Sequence, residues 1–274
     1  MMSSVLPVVS DVQPTQHPVV LMHGIGLIAH VLKPGAVFDP IAEDLEAQGV
    51  RVFAPRVQPY SPIRERCKAW SVHLRTILSI TGAKKLNLVG FSSGGIDARY
   101  LVTHMEAHEY VASITTIASP HRGSCLAELP LRFPEPLRSI LFEVVNQVAA
   151  VVFPEGDTDV LPTLEELTRE FMVERFNPAT PDHPDVTYYS LGSHAGRGVR
   201  NAASPLTWLM NQYIYLKEGI NDGFVALESM KWTGYGGAIP ADHAQLVGLA
   251  DGLSTFDATI FYRRLISHLA SEGW

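Results

Sequence analysis

The sequence predicts an α/β fold: a mostly parallel central sheet with helices on both faces. Two patterns carry this expectation. Over the first 118 residues, short apolar runs alternate with helical stretches through brief connections, which implies parallel strands covered by crossover helices. The second is Gly90-Phe91-Ser92-Ser93-Gly94, which sits between an apolar run, Leu86-Asn87-Leu88-Val89, and a helical stretch from Gly95. A strand that turns sharply into a helix needs small residues two before and two after the serine, because strand and helix nearly touch there.

Composition sets the bounds. The 274 residues suit one α/β domain with insertions or two small domains. We read a single domain over 1–274. With 46% hydrophobic and 18% charged residues a sizeable core is available. A net charge of −7 argues against nucleic acid and anionic membranes, not against a neutral ester or oil. No apolar run reaches the length of a membrane span. The first residues lack a basic segment followed by a long apolar one, so no signal peptide is read. That leaves a cytoplasmic location, a signal-independent exit or a removed leader. Cys67 and Cys125 fit two free thiols better than a disulfide, with the pairing left open by the sequence.

In chain order, residues 1–16 read as an irregular arm. The run from His17 to Met22 is a buried strand that enters the glycine loop His23-Gly24-Ile25-Gly26. Phe38 to Gln48 has helical spacing and stops at Gly49. The segment from Val50 to Pro55 is a second strand. Ile63 to Thr81 is a long amphipathic helix with Trp70, Leu74 and Ile77 on one side, stopping at Gly82. The strand before Ser92 follows, then a helix to about Ala107 and a β-rich run from Tyr110 to Ala118. His23-Gly24, Ser92 and Ser119-Pro120-His121 all fall at the carboxyl ends of strands, where such sheets bind ligands.

Beyond residue 125 the pattern changes. Leu137, Ile140, Leu141, Val144, Val145, Val148, Val151 and Val152 recur at helical spacing. A second helix, Leu164 to Phe176, follows Pro162. This insertion, at about 125–180, reads either as packing on the core or as a mobile lid. A strand from Val186 to Leu191, a helix from Pro205 to Leu216 and a terminal helix from Asp257 to Ala270 complete the chain.

Ser92 is the candidate nucleophile. A hydroxyl is a weak nucleophile at neutral pH and requires a base, which histidine supplies. His104 and His108 are expected on the helix after Ser92, facing solvent, and His268 on the terminal helix. His243 sits in the loop Gly236 to His243, before a helical run from Ala244, and is the candidate base. Asp222, held in the turn Asn221-Asp222-Gly223, is the candidate acid that orients it. Asp242 is the alternative acid, awkwardly placed as a sequence neighbour, with loop fixing as its other role. The N–H groups of Ser93 and Ile25 are the candidate oxyanion donors.

The same stretches resemble bacterial triacylglycerol lipases of the Pseudomonas/Burkholderia type. The similarity rests on Pro18 to Gly24, Leu86 to Gly95 with Ala98-Arg99-Tyr100, Ile117 to Ser124, Leu164 to Asn177, Val186 to Ser190, and Asn221-Asp222-Gly223. It covers most of residues 17–245. The resemblance implies an α/β-hydrolase fold, acylglycerol hydrolysis, a helical lid and the triad Ser92, Asp222, His243. An ester or lipid substrate, met at an oil–water interface, and no cofactor are expected. Two departures stand out. The family often has histidine after the nucleophile, where this chain has Ser93. Its calcium site uses an aspartate two residues after the catalytic histidine, where this chain has Gln245, so no metal is expected.

Overall fold

A computed structural model describes residue 6 and residues 12–25, 37–152, 158–249 and 255–274. Most of the expected N-terminal arm, Gly26 and the side chains of Val148, Val151 and Val152 lie outside the described residues.

Six parallel strands form one sheet in the order β2-β1-β3-β4-β5-β6. They are β1 (Val19–Met22), β2 (Val52–Phe53), β3 (Leu86–Phe91), β4 (Val111–Ile117), β5 (Thr187–Ser193) and β6 (Tyr235–Ile239). Every residue of β1, β3 and β4 is buried, as expected where helices cover both faces. Alternate residues of β1 feed two cores: Val19 and Leu21 one, Val20 and Met22 the other. The first core lies under α1 (Asp39–Ala47) and the terminal helix Ala258–Ser271; the second lies under α2 (Ile63–Thr81) and α3 (Ser93–His104).

Helix α2 has the bounds its pattern predicts. Trp70, Leu74 and Ile77 point inward, and Gly82 ends it in the left-handed conformation. The second strand is shorter than expected, Val52–Phe53 alone. His108 lies not on α3 but in a 3-10 turn, Ala107–Glu109, where its ring stacks half-buried on His183 at 4.1 Å.

Residues 125–180 form α4 (Cys125–Leu131), α5 (Glu135–Val152) and α6 (Val160–Glu165), then a π-helical turn, Phe171–Phe176. The single helix expected from Leu164 to Phe176 is thus two elements. Phe142 of α5 packs with Tyr60 and Val160, while Leu137, Ile140 and Val144 face outward, each more than half exposed. The chain continues through α7 (Pro205–Glu218) and α8 (Leu227–Met230) to the terminal helix, α9 (Ala258–Ser271). Both cysteines are free and buried.

Two buried polar clusters fasten the layers. Asp97 of α3 accepts hydrogen bonds from Arg66 Nε and Nη2 and from Trp70 Nε1, both on α2. Arg99 donates to His121 Nδ1, Asn177 Oδ1 and the Thr180 carbonyl, and its guanidinium lies 3.8 Å from the Trp232 ring centre. With Nδ1 accepting, His121 Nε2 carries the proton and donates to Thr116 Oγ1 at 3.0 Å. Burial, reinforced by Arg99 and Arg122, pushes the His121 pKa well below 6.5. Below pH 6.5 the unfolded chain therefore binds a proton that folded His121 refuses. Stability falls with pH there, by up to about 1.4 kcal/mol per pH unit for this group. Thermal melts from pH 7.5 to 5 should show a steeper decline for the wild type than for His121→Asn. Equal slopes would assign the loss to other groups.

Candidate active site

The site is assembled at the carboxyl ends of the strands. Ser92 follows β3 and begins α3, with φ 55° and ψ −129°. A positive φ at a residue bearing a side chain is strained, by about 1–3 kcal/mol. The turn is held by close contacts. A Cβ on Gly90 would lie 2.5 Å from Gly95 Cα, and one on Gly94 would lie 2.2 Å from the Met22 carbonyl oxygen. Neither position accepts a larger residue without moving backbone.

Asp222 and His243 come together as expected. His243 Nδ1 donates to Asp222 Oδ2 at 2.7 Å, and the His243 backbone N–H donates to the Asp222 carbonyl at 3.0 Å. Asp222 is fully buried. Its Oδ1 accepts from the N–H groups of Phe224 and Val225, at 3.0 and 2.9 Å. Its Oδ2 also accepts from Ser193 Oγ at 2.7 Å. Four donors hold one carboxylate in a single orientation. The His243 ring lies between Phe91 and Phe224, with ring centres 4.5 and 5.0 Å away. Phe91 adjoins Ser92 in sequence, so the imidazole rests against the turn that carries the hydroxyl. Among the described residues Ser92 Oγ makes no hydrogen bond to His243. Such bonds are often long without substrate and tighten when it binds.

The approach to His243 differs from the expected loop. Residues 236–239 belong to strand β6 rather than to a loop, because Leu191, Gly192 and Ser193 of β5 pair with Gly237, Ala238 and Ile239. The loop proper is Pro240 to Ala244, and the expected helical run is a short 3-10 turn, Gln245–Val247.

Asp242 turns away from the imidazole. Its Oδ2 accepts from Ser204 N and Thr207 Oγ1, at 2.6 and 2.8 Å, and its Oδ1 from Gln245 N at 2.9 Å. Gln245 Oε1 accepts in return from Asp242 N at 2.9 Å. These residues do not fit a calcium ion. Both Asp242 oxygens and Gln245 Oε1 are turned to hydrogen bonds within the protein, and the pair supplies one carboxylate and one amide oxygen, far short of the roughly six to eight oxygens calcium takes. Among the described residues, no group of three histidine, cysteine or acidic side chains is placed to hold a metal.

Ile25 and Ser93 meet in an unexpected way. The Ile25 N–H donates to Ser93 Oγ at 3.0 Å, so this donor already has a partner when no substrate is bound. The Ser93 N–H opens α3, where first-turn amides have no intrahelical acceptor.

A cavity of about 240 Å³ opens over Ser92, bounded by Ile25, Tyr60, Leu126, Phe142 and Leu164 among others. Its wall is almost entirely apolar. The lining hydroxyls of Ser124 and Thr163 donate to the carbonyls of Phe224 and Asp159. The Tyr60 hydroxyl is buried without a hydrogen-bond partner among the described residues, and burial raises its pKa and keeps it protonated.

Sequence reasoning missed Ser193, Thr207 and Tyr60. Ser193 had one available signal: it ends a strand on the side of the sheet where Ser92 lies.

The sheet order, the strand-to-helix turn and the placement of the helices are those of an α/β-hydrolase. A metagenomic carboxyl esterase, MGS0156, superposes with a TM-score of 0.71 at 20% identity, covering 97% of this chain and 77% of that one. Within this fold class the chain is a relative of triacylglycerol lipases, as its motifs imply. Triacylglycerol lipase 2 of Saccharomyces cerevisiae is 29% identical over 251 residues, 84% of this chain and 72% of the yeast protein. Triacylglycerol lipase of Vibrio cholerae is 30% identical over 195 residues, 68% of this chain and 61% of that protein. Triacylglycerol lipases of Burkholderia plantarii and Pseudomonas fragi also match, over less than half of their own length. No family model matches the chain.

Proposed function

We propose that this protein is a serine ester hydrolase acting on acylglycerols. The observation that carries the reading is the His243–Asp222 pair resting against the strained turn that presents Ser92 to an apolar cavity. The lipase relatives support the same chemistry.

In this mechanism Ser92 Oγ attacks the ester carbonyl while His243 Nε2 takes its proton. Asp222 keeps the other ring nitrogen protonated and stabilises the imidazolium. The tetrahedral oxyanion receives the N–H of Ser93 and that of Ile25, which exchanges Ser93 Oγ for the charged and stronger acceptor. Collapse expels the alcohol, which takes the proton from His243. Water, deprotonated by the same imidazole, then releases the acid and restores Ser92.

Helices α4, α5 and α6 act as a cap on a single α/β-hydrolase domain. Phe142 of α5 faces the cavity and Leu137, Ile140 and Val144 face outward, so both sides of α5 suit contact with lipid. A lid that settles on an oil droplet by its outer face would open the cavity beneath it.

Two measurements test this. A fluorophosphonate should label the protein at one site, and peptide mapping should find the adduct on Ser92. Hydrolysis of a triglyceride series should rise sharply once substrate exceeds its solubility limit. Turnover of soluble short esters alone, without that rise, would make it a carboxylesterase. Absence of labelling would remove the serine mechanism.

A further inference from the structure

Helix α7 contributes no residue to the lining of the cavity, yet two of its buried side chains reach both loops that carry the proposed acid and base. Thr207 and Asn211 lie one turn apart on the same face, both fully buried. Thr207 Oγ1 donates to Asp242 Oδ2 at 2.8 Å, and the N–H of Ser204, which caps the helix, donates to the same oxygen at 2.6 Å. Asp242 immediately precedes His243. Four residues further along, Asn211 Nδ2 donates to Asn221 Oδ1 at 2.9 Å, and Asn221 Nδ2 donates back to the Asn211 carbonyl at 3.1 Å. Asn221 immediately precedes Asp222. Gly223, on the other side of Asp222, is pressed against Thr207: a Cβ there would lie 2.5 Å from Thr207 Cβ. Asn211 also reaches the Ala195 carbonyl at 2.7 Å, just beyond β5 and Ser193.

We infer that Thr207 and Asn211 are positioning residues, and that one face of α7 sets the separation of Asp222 and His243. The inference rests on reading those two as acid and base. The physical argument is one of shared reference. Two loops tied separately to the body of the protein would drift independently. Tied to one rigid helix through side chains one turn apart, they move together and the 2.7 Å contact persists. The Asp242 end is the stronger mooring, because a carboxylate accepts shorter and stronger hydrogen bonds than a neutral acceptor and the helix N-terminus favours negative charge. Small displacements matter, since a shift of about 1 Å in a reacting group costs on the order of a hundredfold in rate.

The test is steady-state kinetics on a soluble short-chain ester with the full chain. Thr207→Val keeps the shape against Gly223 and removes only the hydroxyl. It should lower kcat about tenfold while KM stays within about twofold, the signature of lost transition-state geometry. Thr207→Ser retains the hydroxyl and should restore kcat. Leu209→Ala, on the outer face of the same helix and 73% exposed, should match the wild type. Should Thr207→Val not fold, Thr207→Ala decides. It differs from Thr207→Ser only by the hydroxyl that donates to Asp242, so its kcat should fall below that of Thr207→Ser in the same way, and equal values would overturn the inference. Wild-type kcat in folded Thr207→Val, or equal losses in Thr207→Val and Leu209→Ala, would overturn the inference. Fluorophosphonate labelling of Ser92 separates the two levels: with labelling intact only the positioning role falls, and without it the hydrolase reading falls as well.

Discussion

Ser92→Ala should abolish ester turnover, by about six orders of magnitude in kcat, and leave the chain folded. The chemical half follows from the contents of the cavity. No other hydroxyl there is placed to replace Ser92 Oγ: Ser124 and Thr163 donate to carbonyls, and Tyr60 stays protonated because burial raises its pKa. The structural half follows from the backbone. Ser92 is the N-cap residue of α3, yet its side chain makes no capping hydrogen bond, so no capping stabilisation is lost. Alanine meets the same positive φ and fills the same space up to Cβ. Thermal melts should coincide within a few degrees while activity falls to background. Substantial turnover by the folded variant would remove Ser92 from the role of nucleophile.

Asp97→Ala should cost about 3–5 kcal/mol of stability. Asp97 and Arg66 are buried together, and Ser61 and Trp70 complete the cluster through the Ser61 carbonyl and the Trp70 N–H. Burial is the largest influence on Asp97 and raises its pKa even though Arg66 opposes it. The carboxylate is therefore not a comfortable charge. It is tolerated because Arg66 and Trp70 donate to it. Truncation leaves a buried guanidinium with the Ser61 carbonyl and the charge of Glu166 as its remaining support. Urea unfolding should show a lower midpoint with little change in slope. The paired change Arg66→Met with Asp97→Leu should recover most of the loss, since well-packed apolar residues often replace a buried pair at little cost. A double variant as unstable as Asp97→Ala would show that the pair itself, and not the stranded charge, holds α2 to α3.

How legible each part was depended on the range of the interactions behind it. Helix α2 was readable to the residue because its apolar stripe and the Gly82 stop are local signals. The turn at Ser92 was readable from its local pattern of glycines, although only Gly90 meets a near neighbour in sequence, Gly94 lying against Met22 and Gly95 against Ser119. Strand β6 was not. Tyr235-Gly236-Gly237-Ala238-Ile239 has little β propensity, and pairing with β5 makes it a strand. The π-helical turn at Phe171 broke the period that suggested one continuous helix. The pairing of Asp222 with His243 was legible from their order and turn chemistry. The residues that hold them were not read: Thr207 and Asn211 have no local signal for their contacts with Asp242 and Asn221, and Ser193 had only its place at a strand end.

The order of the strands has a consequence for synthesis. Strands β1 to β4, with the helices between them, have been made once Ile117 has emerged, whereas α9, which covers the first core, is made last. By then the strand and the helix that flank Ser92 are both in hand. Asp222 follows α7 and His243 follows β6, so both arrive later. A chain leaving the ribosome thus carries its hydroxyl early and its imidazole late. During that interval Ser92 stands without the His243–Asp222 pair, and the cavity wall still lacks Phe224 and Val225.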